Sequence, residues 1–124
     1  MILRTCLLVT DDPDDQIDFT EALYEISSDT VLLAVTDPKK ALTLLALRRL
    51  IPDYIIVDLA MSDFSADVFF STIGDDPRLN DIPLIAYGEF SDLEKVKNGR
   101  ISAFLNNDFT YSGLRNLLVK IVNS

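Results

Sequence analysis

The strongest constraint on this chain is a run with no polar break in it. Tyr54-Ile55-Ile56-Val57 leads straight into Asp58 and follows the turn signal Pro52-Asp53. A strand wetted on one face alternates apolar and polar residues, so a short unbroken run reads as a strand covered on both faces, the mark of a parallel sheet. Cys6-Leu7-Leu8-Val9 has the same character and is closed by Thr10-Asp11-Asp12-Pro13. Val31 to Val35, Ile82 to Tyr87 and Ile101 to Leu105 read as three further strands.

Segments of helical period lie between these runs. Asp12 is a candidate cap with Pro13 at the first helical position, followed by Phe19, Ala22, Leu23 and Ile26 at helical spacing. Asp37-Pro38 restarts a helix whose Ala41, Leu44 and Leu45 share a face. Asp67 to Ile73 carries a weaker signal ended by Asp75-Asp76-Pro77, and Asp92 to Lys97 reads as a short helix. The last helix is capped by Thr110 or Ser112 and repeats Leu114, Leu117, Leu118 and Ile121.

Strand-helix alternation through 124 residues predicts an α/β fold. Right-handed crossovers place helices on both faces, which makes a doubly wound five-stranded parallel sheet, flavodoxin-like (βα)5, in three layers. The length suits one domain, residues 1–124, since domains typically run about 100–150 residues.

Charge and composition narrow the chemistry. A net charge of −9 argues against direct nucleic-acid binding, which needs clustered Lys and Arg. No apolar run approaches the ~20 residues that span a bilayer, and no secretory leader is legible, so a cytoplasmic protein without membrane contact is expected. Histidine is absent and Cys6 is the only cysteine. Ser-His-Asp and Cys-His nucleophiles, common zinc cages and intrachain disulfides are thereby excluded. The acidity is local: in the first thirty residues Asp11, Asp12, Asp14, Asp15, Asp18, Glu21, Glu25 and Asp29 face only Arg4.

Ligands of such a sheet bind at the carboxyl ends of its strands. The first strand ends in Thr10-Asp11-Asp12 and the third in Asp58, and a flavodoxin-like strand order makes these strands neighbours. Asp11 and Asp58 are therefore expected to converge. Two nearby carboxylates repel unless one is protonated or a cation sits between them, and a hard ion with oxygen ligands, Mg²⁺ by preference, resolves that repulsion. Asp58 is then a candidate carboxylate nucleophile toward a phosphoryl group. Acids after strands are also ordinary helix caps, the reading favoured for Asp12.

At these residues the chain resembles the receiver domain of two-component response regulators, over essentially its whole length. The matching stretches are Leu7-Leu8-Val9-Thr10-Asp11-Asp12-Pro13-Asp14-Asp15, Pro52-Asp53-Tyr54-Ile55-Ile56-Val57-Asp58-Leu59-Ala60-Met61 and Ile82-Pro83-Leu84-Ile85-Ala86. The resemblance implies that Asp58 is the phosphoacceptor, with a histidine kinase or phosphotransfer protein as donor and an unidentified downstream protein as recipient of the signal. It also implies Mg²⁺ held by Asp11, Asp58 and the Ala60 backbone carbonyl, with Asp12 as a weaker candidate ligand. A signalling module is expected rather than an enzyme, and a homodimer is among the expected partners.

Several positions depart from the family pattern. The usual acidic pair aligns with Thr10-Asp11, which replaces one carboxylate by a hydroxyl; sliding by one restores Asp11-Asp12 but pushes both past the strand end. Gly88 stands where the fourth strand should end in Ser or Thr, and Asn107 where the fifth should end in Lys. Met61-Ser62 replaces Met-Pro, and Ala66 replaces a loop Gly. The segment between the fourth and fifth strands is short, and Phe104 aligns with the family's switch aromatic. A neutral amide at Asn107 donates a weaker hydrogen bond than a charged lysine, about 1 against ~1.5–3 kcal/mol. The departures leave open a phosphorylation-independent pseudo-receiver acting as a protein-protein interaction module. Haloacid-dehalogenase phosphatases also place Asp after an apolar strand, but they need a second Asp where this chain has Ala60, and an acidic first loop repels a flavin phosphate. Lys39, Lys40, Arg48 and Arg49 on the second helix, and Tyr87, Phe90, Phe109 and Tyr111 near the later strand ends, are candidate partner surfaces.

Overall fold

The computed structural model describes residues 3–47, 51–61, 64–94, 96 and 101–123. Strands and helices alternate along them as β1 (Arg4–Val9), α1 (Pro13–Ile26), β2 (Thr30–Val35), α2 (Pro38–Ala46), β3 (Tyr54–Asp58), α3 (Ala66–Gly74), β4 (Leu84–Gly88), α4 (Phe90–Leu93), β5 (Ala103–Asn106) and α5 (Tyr111–Val122). The strands form one sheet in the order β2-β1-β3-β4-β5, and every pairing is parallel. This is the flavodoxin-like arrangement expected from the sequence.

Period-two alternation divides the strand side chains between two cores. Leu7, Val9, Ile55, Val57, Leu84 and Ala86 pack with Ala41 and Leu45 of α2 and Phe69, Phe70 and Ile73 of α3. Cys6, Leu8, Tyr54, Ile56, Ile85 and Tyr87 pack with Phe19, Ala22 and Leu23 of α1 and Leu114 and Leu118 of α5. Helices thus cover both faces, which is why β3 is buried along its whole length. Each fully buried large aliphatic side chain contributes about 1.5–3 kcal/mol by leaving water.

Local chemistry starts the helices where the sequence signals them. The Asp12 carboxylate accepts from the Asp14 and Asp15 amides, Asp37 from Lys39, and Ser65 from Val68. Thr110, not Ser112, caps α5 by accepting from Gly113 N. Arg4 donates to the Tyr54 hydroxyl at 3.0 Å and to the Val122 carbonyl at 2.8 Å, fastening β1 to the carboxyl end of α5.

The later elements differ from the sequence reading at their edges. Pro83 has no amide to donate and its carbonyl accepts from Ile55 N, while Ile82 N is bound into a turn by Leu79 O, so β4 begins at Leu84 rather than Ile82. Instead of a helix from Asp92 to Lys97, α4 is a single turn that starts at Phe90, where Asp92 Oδ2 accepts from Glu89 N. Lys97, Ser62, Arg48 and Arg49 lie outside the described residues.

Candidate functional site

Strand register assembles the site. Val9 lies opposite Val57, so the next residues, Thr10 and Asp58, come side by side; Asp58 in turn lies opposite Tyr87. Counting by twos from Leu8, Ile56 and Ile85, all in the core beneath α1 and α5, carries Thr10, Asp58 and Tyr87 to the same face of the sheet. The result is a row of three polar groups at the carboxyl edge of an otherwise apolar core.

Asp58 is 5% exposed and Thr10 is fully buried. Thr10 Oγ1 donates to Asp58 Oδ2 at 2.9 Å, and Ala60 N donates to Asp58 Oδ1 at 2.9 Å. Burial pushes the Asp58 carboxyl above the usual aspartate range, the Ala60 and Thr10 hydrogen bonds hold it back, and the charges of Asp11 and Asp12 push it up again. The Tyr87 hydroxyl donates to Asp15 Oδ2 at 3.0 Å. Burial raises the Asp15 carboxyl as well, against the Tyr87 bond and with help from Asp12, Asp58 and Asp18. Phe19 and Phe109 pack on the Tyr87 ring with centroids 5.0 and 6.4 Å away.

The cleft above Asp58 has a volume of about 410 Å³ and is lined by Asp12, Asp15, Asp18, Asp58, Ala60, Asn107 and Phe109. Asp11 lines a neighbouring groove with Thr36, Asp37, Leu42 and Phe69, on the α2–α3 side. The alternation that turns Thr10 toward α1 and α5 turns the next residue toward the opposite layer. Asp12 lines the cleft while its Oδ1 serves the helix cap. Asp15 and Asp18 are cleft residues that the sequence reading did not single out. Asp12, Asp15 and Asp18 follow one another at steps of three, and that helical spacing is the signal that would have found them.

The donor set suits a hard cation: it is all oxygen, anionic and open to water, and its raised carboxyls are relieved by positive charge. Among the described residues no group of three or more His, Cys, Asp or Glu gathers to hold an ion by side chains alone. An ion here would keep much of its water, as Mg²⁺ does with one or two carboxylates.

At the end of β4, Gly88 has φ 151°, a conformation that side chains rarely adopt. A Cβ there would sit 3.1 Å from Asp92 Oδ2 and 3.4 Å from Leu59 Cβ. The position carries no hydroxyl, and a side chain there would need both a strained backbone and a small displacement of the Asp92 carboxylate. Asn107 is exposed and lines the cleft, and its backbone N–H donates to the Gly88 carbonyl at 2.9 Å. Phe104 is half-buried with its ring 5.5 Å from Phe90.

The four aromatics do not form one exposed cluster. Tyr87 is core at 1% exposure and Phe109 is half-buried against it, whereas Phe90 is 64% exposed and Tyr111 is held by Glu25 at 2.9 Å. Lys39 and Lys40 are exposed, as a solvated helix face requires.

This sheet order, with helices on both faces, is the fold the chain shares with receiver domains of two-component response regulators. The chain superimposes on a two-component response regulator from Legionella pneumophila with TM-score 0.80 at 19% identity, covering 98% of this chain and 99% of that one. The receiver domain of a sensor histidine kinase from Pseudomonas aeruginosa, solved with a magnesium ion in its active site cleft, gives 0.79 at 20% identity over 98% and 99%. Chemotaxis response regulator CheY4 of Vibrio cholerae gives 0.75 at 15% identity over 96% and 98%. No protein-family model matches the sequence, and no curated protein matches it. Among the described residues no helix is long and apolar enough to cross a membrane.

Proposed function

We propose that this chain is a signalling receiver that accepts a phosphoryl group on Asp58 and passes that state to a partner protein. The observation that carries the reading is Asp58 itself, a buried carboxylate at the end of the central strand, held by Thr10 and Ala60 and opening onto an acidic cleft. The donor is a phosphohistidine on a histidine kinase or phosphotransfer protein. An Asp58 oxygen forms the new P–O bond as the P–N bond breaks, and the electron pair of that bond returns to the imidazole. The Ala60 N–H and Thr10 hydroxyl orient the carboxylate, and Asn107 supplies a neutral amide at the rim.

Asp58 together with Asp11 or Asp12 and the Ala60 carbonyl would hold Mg²⁺, which when bound offsets charge on the transferring oxygens. This is group acceptance by a signalling module in the cytoplasm, not turnover by an enzyme. A second reading, a phosphorylation-independent interaction module, is favoured by one feature: among the described residues lining the cleft there is no Lys or Arg.

Incubation with Mg²⁺ and a small phosphodonor separates the two. The expected result is an acid-labile mass gain of one phosphoryl group that is absent in Asp58→Asn. An unmodified wild-type chain, also unmodified by a cognate kinase, with partner binding intact in the variant, overturns the first reading for the second.

A further inference from the structure

In a receiver the phosphorylated state is reported by whichever group makes a different contact once the acceptor is occupied, because a ligand shifts an equilibrium only through contacts that differ between its states. At the end of β4 that role is closed off. Gly88 carries no hydroxyl, its φ of 151° disfavours any side chain, and the Asp92 carboxylate lies 3.1 Å from where a Cβ would sit. The following turn is pinned by Glu89 N on Asp92 Oδ2 at 3.1 Å and by Asn107 N on the Gly88 carbonyl at 2.9 Å.

The hydroxyl that does touch the acceptor lies on the other side of β3. Thr10 Oγ1 donates to Asp58 Oδ2 at 2.9 Å and accepts from Asp12 N at 3.2 Å. Asp12 is the cap of α1, bonded to the amides of Asp14 and Asp15. Gln16 Nε2 returns to the Thr10 carbonyl at 3.2 Å, and the Asp15 carboxylate accepts from Tyr87. A continuous set of hydrogen bonds thus runs from the Asp58 carboxylate through one hydroxyl into the first turn of α1.

We propose that Thr10 is the positioning residue through which occupancy of Asp58 reaches the start of helix α1, so that the state is read at α1 rather than at the β4–α4 turn. This rests on Asp58 accepting a phosphoryl group. Formation of the acyl phosphate removes the carboxylate charge and offers anionic phosphoryl oxygens instead. The buried Thr10 hydroxyl then exchanges its acceptor, and the bond from Asp12 N to the same oxygen adjusts with it.

The experiment is backbone amide exchange by NMR on the full chain, with and without beryllofluoride and Mg²⁺, compared at equal occupancy of Asp58. Wild type and Thr10→Ser are expected to change exchange at Asp12, Asp14 and Asp15 by about fivefold, the factor that one hydrogen bond's net contribution corresponds to. Thr10→Val, with the same shape and no hydroxyl, is expected to lose that change. An unchanged first turn of α1 in wild type with Asp58 occupied overturns this inference alone, as does an equal change in Thr10→Val. A wild-type chain that takes up neither beryllofluoride nor a phosphoryl group at Asp58 overturns the proposed function, and this inference with it.

Discussion

Thr10 Oγ1 and Asp58 Oδ2 lie 2.9 Å apart across 48 residues of sequence. The bond exists because β1 and β3 pair in parallel with Val9 opposite Val57, which leaves the next residue of each strand shoulder to shoulder. It places a neutral hydroxyl against a buried acid where a family receiver has a second acid. Asp58 therefore meets one charge fewer at its side, and the remaining repulsion comes from Asp11 and Asp12.

Burial, with that repulsion added to it, sets a pH dependence. Asp58 and Asp15 both have carboxyls raised above the ordinary 3.8, chiefly by burial. Between that value and their folded values the native state binds more protons than the unfolded one, so their contribution to stability falls as pH rises through that window. Urea midpoints are expected to decline for wild type as pH rises above 3.8. Asp58→Asn is expected to flatten the decline, and parallel curves would contradict the assignment.

Mg²⁺ is expected to offset the same repulsion. At neutral pH an ion present at ten times its Kd adds ~1.4 kcal/mol to the folded state. Thermal melts with Mg²⁺ against melts with a chelator read this, and Asp58→Asn is expected to remove most of the difference.

Gly88→Thr tests whether the family hydroxyl can be restored. With φ at 151° and Asp92 Oδ2 only 3.1 Å from a new Cβ, the substitution is expected to destabilise by about 1–3 kcal/mol, the cost of a strained backbone. Chemical denaturation measures it. An unchanged midpoint would mean that the β4–α4 turn yields easily.

Tyr87→Phe keeps the ring in its packing with Phe19 and Phe109 but removes the donor to Asp15. The expected loss is about 1 kcal/mol, with the Asp15 carboxyl moving further up. NMR titration of the Asp15 side chain checks the direction.

Much of this protein is decided within a few residues of chain. The unbroken run at 54–57, the Asp12-Pro13 and Asp37-Pro38 starts and the leucine spacing of the last helix are local signals, because strand burial and helix capping act over one to four residues. They were enough to place strands and helices in order, and the receiver-like order placed Asp58 at a strand end. What local signals do not carry is the orientation of neighbours around that acid. Thr10 and Asp11 are adjacent in sequence, yet one touches Asp58 and the other lines the groove beside α2 and α3. Tyr87 reads as a candidate surface aromatic and is a core residue tied to Asp15. Gly88 reads as a missing hydroxyl and is a backbone conformation fitted against Asp92. Each of these depends on strand register and on which layer a side chain enters. A shift of a single residue reverses both, so only the folded sheet decides them.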